Sequence, residues 1–275
     1  AGNLTGTVAT ATQNSITTMT GLTAAGATGT ATSVAGIPFF SDISNNSIYT
    51  HDVSGTDSTA EGNTAYGIGA LDAVTTGDYN TAIGFGALSA QQAGEGSVAI
   101  GQSALNANLA GNNLAVGKSA LIANTTGTRN IAIGNRALDL QDTENDNLAI
   151  GYEAMTTDNA GGTRNVAIGN YAVDALTSGD KNVAVGYQAG TSLTTGEKNI
   201  AIGDNALSTN ESGADNTAVG NAALESAGGG TSNNTAIGSN AMNANTTGSS
   251  NTAVGFNALY THTTGTRNVA VGVEA

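Results

Sequence analysis

Apolar and polar positions along this chain recur with a fixed period. The line Asn-x-Ala-(Ile/Val)-Gly-x-x-Ala-Leu begins at Asn63, Asn80, Ser97, Asn113, Asn130, Asn147, Asn165, Asn182, Asn199, Asn216, Asn234, Asn251 and Asn268. These thirteen copies follow one another at intervals of 16, 17 or 18 residues. Counting each copy from its first residue, position 3 is always Ala, position 5 always Gly and position 8 always Ala. Position 4 is Ile or Val except for Tyr66, and position 9 is usually Leu, with Met155, Met242, Val173 and Gly190 as variants. Positions 2 and 4, such as Ile131 and Ile133 or Val166 and Ile168, alternate with the period of two that puts side chains on one face of a short strand. Each copy is predicted to open with such a strand. The invariant glycine then marks a corner that excludes a side chain. The Ala-Leu pair predicts a second short strand, and closing pairs such as Thr126-Gly127, Ser178-Gly179 and Thr195-Gly196 predict a turn.

One such unit cannot bury a core, but stacked units can share one. The predicted fold is all-β, a parallel β-solenoid or β-roll of thirteen coils of about 17 residues. Like then stacks on like. Asn80, Asn130, Asn165, Asn182 and Asn199 are expected to form a ladder of mutually hydrogen-bonded side-chain amides. Gly84, Gly134, Gly169, Gly186 and Gly203 repeat the same corner, and both columns are read as structural. The interior apolar columns are mostly small, so each coil buries little area, and the chain is expected to associate with copies of itself. A column holding only alanine can lie against a symmetry axis.

The array fills residues 63–275. Residues 1–36, rich in Thr, Ala and Gly, predict a β-rich or extended stalk. Residues 37–62 carry Phe39, Phe40, Tyr49 and the one proline, Pro38, and are expected to cap the open edge of the first coil. The last line breaks off at Ala275, so the array is expected to continue or to meet another subunit there.

Composition then restricts the chemistry. Seven basic against 21 acidic residues give a formal charge of −14, which disfavours nucleic acid and anionic membrane surfaces. No apolar run is long enough for membrane insertion. With no cysteine and only His51 and His262, neither a Cys-His nor a Ser-His-Asp site can be assembled, and no catalytic residue, metal ligand or cofactor is assigned. Asp139, Asp142, Glu144 and Asp146 could offer oxygens to calcium, but their spacing fits no calcium loop and they are read as a solvated acidic turn. Arg129, Arg164, Lys181, Lys198 and Arg267 precede the asparagine and read as an exposed, mixed-charge edge. Phe85, Tyr152, Tyr187 and Phe256 follow the invariant glycine and are candidate glycan contacts, although no contiguous aromatic patch is evident.

Lines such as "GSVAIG" (Gly96–Gly101), "NIAIG" (Asn130–Gly134) and "NVAVG" (Asn182–Gly186) resemble the head repeats of trimeric autotransporter adhesins. The longer line Asn251–Gly272, with its "AL" and "TTG", is similar to arrays in phage tail fibres, as is the opening segment Leu4–Thr23. The resemblance implies a homotrimeric fibre segment on a virion tail, or else on a bacterial cell surface, that carries or spaces surface for a cell-surface glycan or other host receptor. The head of a bacterial surface protein is the first rival, and a self-polymerising extracellular filament is the second. An ice-binding solenoid is disfavoured because Thr occupies position 2 in only five coils. A polysaccharide-cleaving tailspike would need paired carboxylates, which the spacing does not show.

Overall fold

The computed structural model describes residues 32–34, 37–42, 47–49, 59–157 and 162–275. The stalk expected over residues 1–36 lies outside them except for residues 32–34, as does His51. Strands β1 (Thr32–Val34) and β2 (Ile37–Asp42) form an antiparallel pair, and β2 pairs antiparallel with β3 (Ser47–Tyr49). From β3 onward every pairing is parallel. β4 (Thr64–Tyr66) opens the first copy of the repeat. It is followed by β5 (Thr81–Ile83), β6 (Val98–Ile100), β7 (Leu114–Val116), β8 (Ile131–Ile133), β9 (Leu148–Ile150) and β10 (Val166–Ile168). β11 (Val183–Val185), β12 (Ile200–Ile202), β13 (Thr217–Val219), β14 (Thr235–Ile237), β15 (Thr252–Val254) and β16 (Val269–Val271) complete the array. The register is like on like: Val166, Ala167 and Ile168 face Val183, Ala184 and Val185. The fold is thus a β-solenoid with one three-residue strand per coil, and no helix occurs among the described residues.

The second strand expected at Ala-Leu is a turn instead. Positions 7 and 9 both hold left-handed backbone, with φ 58° at Arg136 and 53° at Leu138, or 53° at Gln188 and 60° at Gly190. Such a backbone cannot extend, so it makes single bonds to the next coil: Leu71 N–H to Ala87 O at 2.9 Å, Leu138 N–H to Ala154 O at 3.0 Å. A leucine at positive φ is unusual. Its side chain is fully buried, and that burial offsets the strain.

Alanine columns 3 and 8 line the interior, as Ala132, Ala137, Ala184 and Ala189 show with 0 % exposure. This corrects the expectation that an alanine column lies against a symmetry axis. At positions 3 and 8 the walls of so small a coil come close enough that only a methyl fits, and the larger Ile and Val at positions 2 and 4 face outward.

Position 12 completes the interior. Gln91, Asn108, Asn124, Gln141, Asn210 and Asn245 are buried there, as are Leu176 and Leu193. The two leucines occur where position 9 shrinks to Val173 and Gly190, so the volume lost at one position is restored at the other.

Candidate functional site

The asparagine column is buried from Asn63 to Asn251, and Asn268 in the last coil is partly buried. Asn80, Asn130, Asn165, Asn182 and Asn199 each donate their backbone N–H to the Oδ1 of the preceding column residue at 2.8–3.0 Å. Each Nδ2 crosses its own coil to a carbonyl in the closing turn, as Asn182 does to Gly196 O and Asn199 to Gly213 O, both at 2.8 Å. Amide-to-amide contacts are longer, 3.2 Å for Asn182 to Asn165 and for Asn199 to Asn182. The ladder therefore runs mainly from side chain to backbone rather than amide to amide, because the stacked strands already set the spacing and leave the turn carbonyls in need of a donor.

The corner glycines hold φ between 132° and 142° at Gly84, Gly134, Gly169, Gly186 and Gly203. A Cβ at Gly186 would lie 2.4 Å from Gly203 O, and one at Gly134 would lie 2.1 Å from Gly151 O.

The outward side of the sheet runs the whole length of the array. Positions 2 and 4 carry Thr, Val, Leu, Ile and Tyr66 alone along β4–β16, and from β6 to β12 every one is aliphatic. Ile100, Ile131, Ile200, Ile202 and Ile237 keep 37–40 % of their surface exposed. At about 4.8 Å per strand this uncharged ribbon is about 58 Å long.

Next to it, across the corner glycine, run positions 6 and 7. Phe85, Tyr152, Tyr187 and Phe256 are all exposed at position 6. The structure brings Tyr152 and Tyr187 together through Tyr171, which lies at position 7 of the coil between them. Ring centroids are 5.6 Å apart for Tyr152–Tyr171 and 6.0 Å for Tyr171–Tyr187, both edge-on. A contiguous aromatic strip does therefore exist. It escaped sequence reading because its middle member sits one position later in the repeat. Phe85 and Phe256 stand on other coils, far along the array.

The acidic turn is only half solvated. Asp139 and Glu144 are buried at 4 % and 3 % exposure. Arg136 Nε donates to Asp139 Oδ2 at 2.7 Å, whereas Asp139 Oδ1 has no hydrogen-bond partner. Glu144 occupies the place of the turn glycine. Its carboxylate accepts the N–H groups of Asp142 and Thr143, and its carbonyl accepts Asn130 Nδ2 at 2.7 Å. A glutamate there satisfies the turn by folding its side chain back, which its charge alone did not suggest. Asp146 is exposed and paired with Arg129 on the preceding coil, and that guanidinium holds its carboxyl below the usual range. Among the described residues no group of three or more His, Asp or Glu is arranged to hold a metal ion.

The basic column bears out a mixed-charge edge, with Arg129–Asp146 across coils and Lys198–Glu197 within one. His262 occupies interior position 12, where Asn268 Nδ2 meets its Nε2 at 3.2 Å.

Half-burial pushes the Asp174 carboxyl up, against the hydroxyl of Thr191 donating to it at 2.6 Å. The folded chain therefore binds this proton more tightly than the unfolded one, and the contribution of Asp174 to stability declines as pH rises through the carboxylate range. Asp174→Asn is expected to remove that slope. Melting curves of variant and parent from acid to neutral pH check it, and a difference that stays constant with pH would count against the assignment.

Fold and columns together define a β-solenoid repeat protein, all-β, with in-register parallel coils. No protein-family model, curated protein or solved structure matches the chain. No helix among the described residues is long and apolar enough to cross a membrane.

Proposed function

We propose that this chain is a non-catalytic structural and adhesive module: a homotrimeric shaft segment of a phage tail fibre that carries or spaces receptor-binding surface. The observation that carries the reading is the uncharged outward ribbon in a chain of formal charge −14. An apolar surface of this extent normally marks an interface, and its uniform composition suits a copy of itself stacked in register. A ribbon only two side chains wide favours a narrow seam around a threefold axis over a broad two-sheet sandwich. The buried columns support the same reading, because they are spent on repeating one coil and none converges on a reaction centre. The head of a bacterial surface adhesin is the alternative that shares this geometry.

Light scattering coupled to small-angle scattering on the purified chain is expected to give a discrete trimer. Placing charge at the ribbon's centre, by Ile150→Lys with Ile168→Lys, is expected to yield monomers whose circular dichroism is unchanged, since both side chains point away from the core. A parent chain that stays monomeric at high concentration sinks the reading. Open-ended growth with concentration would replace the trimer by a filament.

A further inference from the structure

Positions 6 and 7 form two neighbouring columns, and over the coils beginning at Asn147, Asn165 and Asn182 they interleave. Position 6 reads Tyr152, Asn170, Tyr187 and position 7 reads Glu153, Tyr171, Gln188. Each ring thus has amide or carboxylate groups in the adjoining places. The geometry points to this patch as a binding site for a neutral, β-linked pyranose oligosaccharide, an inference that rests on the adhesive part of the function proposed above.

Four features support it. Tyr152 and Tyr187 are 42 % and 48 % exposed, so much of each outer ring is open. Their centroids lie 5.6 and 6.0 Å from that of Tyr171, which stands edge-on to both at 77° and 88°, so the outer two rings can offer faces to sugars while Tyr171 sets the distance between them. The edge-on contacts to Tyr171 hold both outer rings, and Asn170 Oδ1 is held by the Tyr152 backbone N–H at 2.9 Å, which lowers the ordering cost of binding. Glu153, next to Tyr152 in the chain, is tied to Arg136 Nη1 at 2.7 Å, so its carboxylate is held in place and can accept sugar hydroxyls. The aromatic rings match the C–H faces of equatorially substituted pyranoses, and Asn170 and Gln188 can both donate and accept. The charge decides against acidic sugars: Glu153 and Asp204 flank the strip, and the chain as a whole is strongly negative.

The test is calorimetric titration of the full chain with chitohexaose and with cellohexaose, using α-linked maltohexaose for comparison. Saturable binding of at least one β-linked hexamer is expected, weakened about tenfold or more by Tyr171→Ala and by Tyr187→Ala, and unchanged by Phe85→Ala. Tyr187 is an exposed outer residue, so its variant remains informative if loss of Tyr171 disturbs packing. The inference is overturned if neither β-linked hexamer binds, if binding survives Tyr187→Ala, if maltohexaose binds equally well, or if only a protein partner is captured through the tyrosines. Light scattering on the same samples separates the two proposals. An intact trimer without sugar binding removes this site alone, while sugar binding by a monomer removes the assembly and leaves the site.

Discussion

Gly186→Ala is expected to cost at least about 4 kcal/mol and to open the coils around it, the sum of strain in a backbone region reserved for glycine and an overlap that cannot relax. The φ at Gly186 is 142°, and the added carbon would lie 2.4 Å from Gly203 O and 2.6 Å from Gly203 C. Both are main-chain atoms. Gly203 cannot retreat, because its N–H is bonded at 2.8 Å to Val185 O in the coil below. Gly230 supplies the comparison. A Cβ there would meet only Ser212 Oγ, at 3.8 Å, so Gly230→Ala is expected to be near neutral. Denaturant unfolding with limited proteolysis reads both. Because coils contact only their neighbours, the alanine at 186 should create a local cleavage site before global unfolding. Equal stability of the two variants would show that the stacking register is wrong.

The second large effect belongs to the asparagine column. Asn182→Ala would strip a partner from the Asn199 N–H, now 3.0 Å from Asn182 Oδ1, and from Gly196 O, now 2.8 Å from Nδ2. Each buried group left unpaired costs about 1–3 kcal/mol, so a loss of roughly 4 kcal/mol is expected. Asn182→Ser should be milder, because the array already contains that replacement: Ser97 Oγ accepts the Asn113 N–H at 3.3 Å. Asn182→Asp adds a sign that packing alone would not. Burial would push the new carboxyl up, and only its protonated form can donate to Gly196 O. Its folded-state pKa then exceeds the unfolded one, so stability falls as pH rises through the carboxylate range and the loss is complete near neutrality. Melting temperatures of the three variants at acid and neutral pH test this. An Asp variant as stable as the parent at neutral pH would mean that the column is not buried as described.

The period, the glycine corner and the asparagine column could all be read from the sequence, because each is imposed by stacking identical coils and so appears as an invariant position. The two faces of the strand could not be assigned. Alternation says that Ile131 and Ile133 share a face and that Ala132 takes the other, but not which is inside. Size usually decides such a question in favour of isoleucine. Here the narrowness of the coil reverses it, and that width is a property of the closed turn rather than of any one residue. The Ala-Leu arc was misread as a strand because leucine gives no hint of the positive φ it adopts at Leu138. Gly190 was the available clue, since it takes φ 60° at the same place. Gln91 and Asn108 carry no apolar signal of their own, and only the recurrence of buried residues at position 12 marks them as interior. Tyr171 could be joined to Tyr152 and Tyr187 only once neighbouring columns were known to touch across coils.

The reciprocity between positions 9 and 12 bears on how such an array can change over generations. Val173 travels with Leu176 and Gly190 with Leu193, and each pair lies within one coil. Duplication or loss of a whole repeat carries both partners together, and the interior stays filled. A crossover falling between positions 9 and 12 could instead pair Gly190 with an asparagine, leaving a hole, or crowd Leu138 with a second leucine. Recombination in the gene is therefore tolerated in whole repeats, and the number of coils becomes an inheritable quantity that adjusts length in steps of about 4.8 Å.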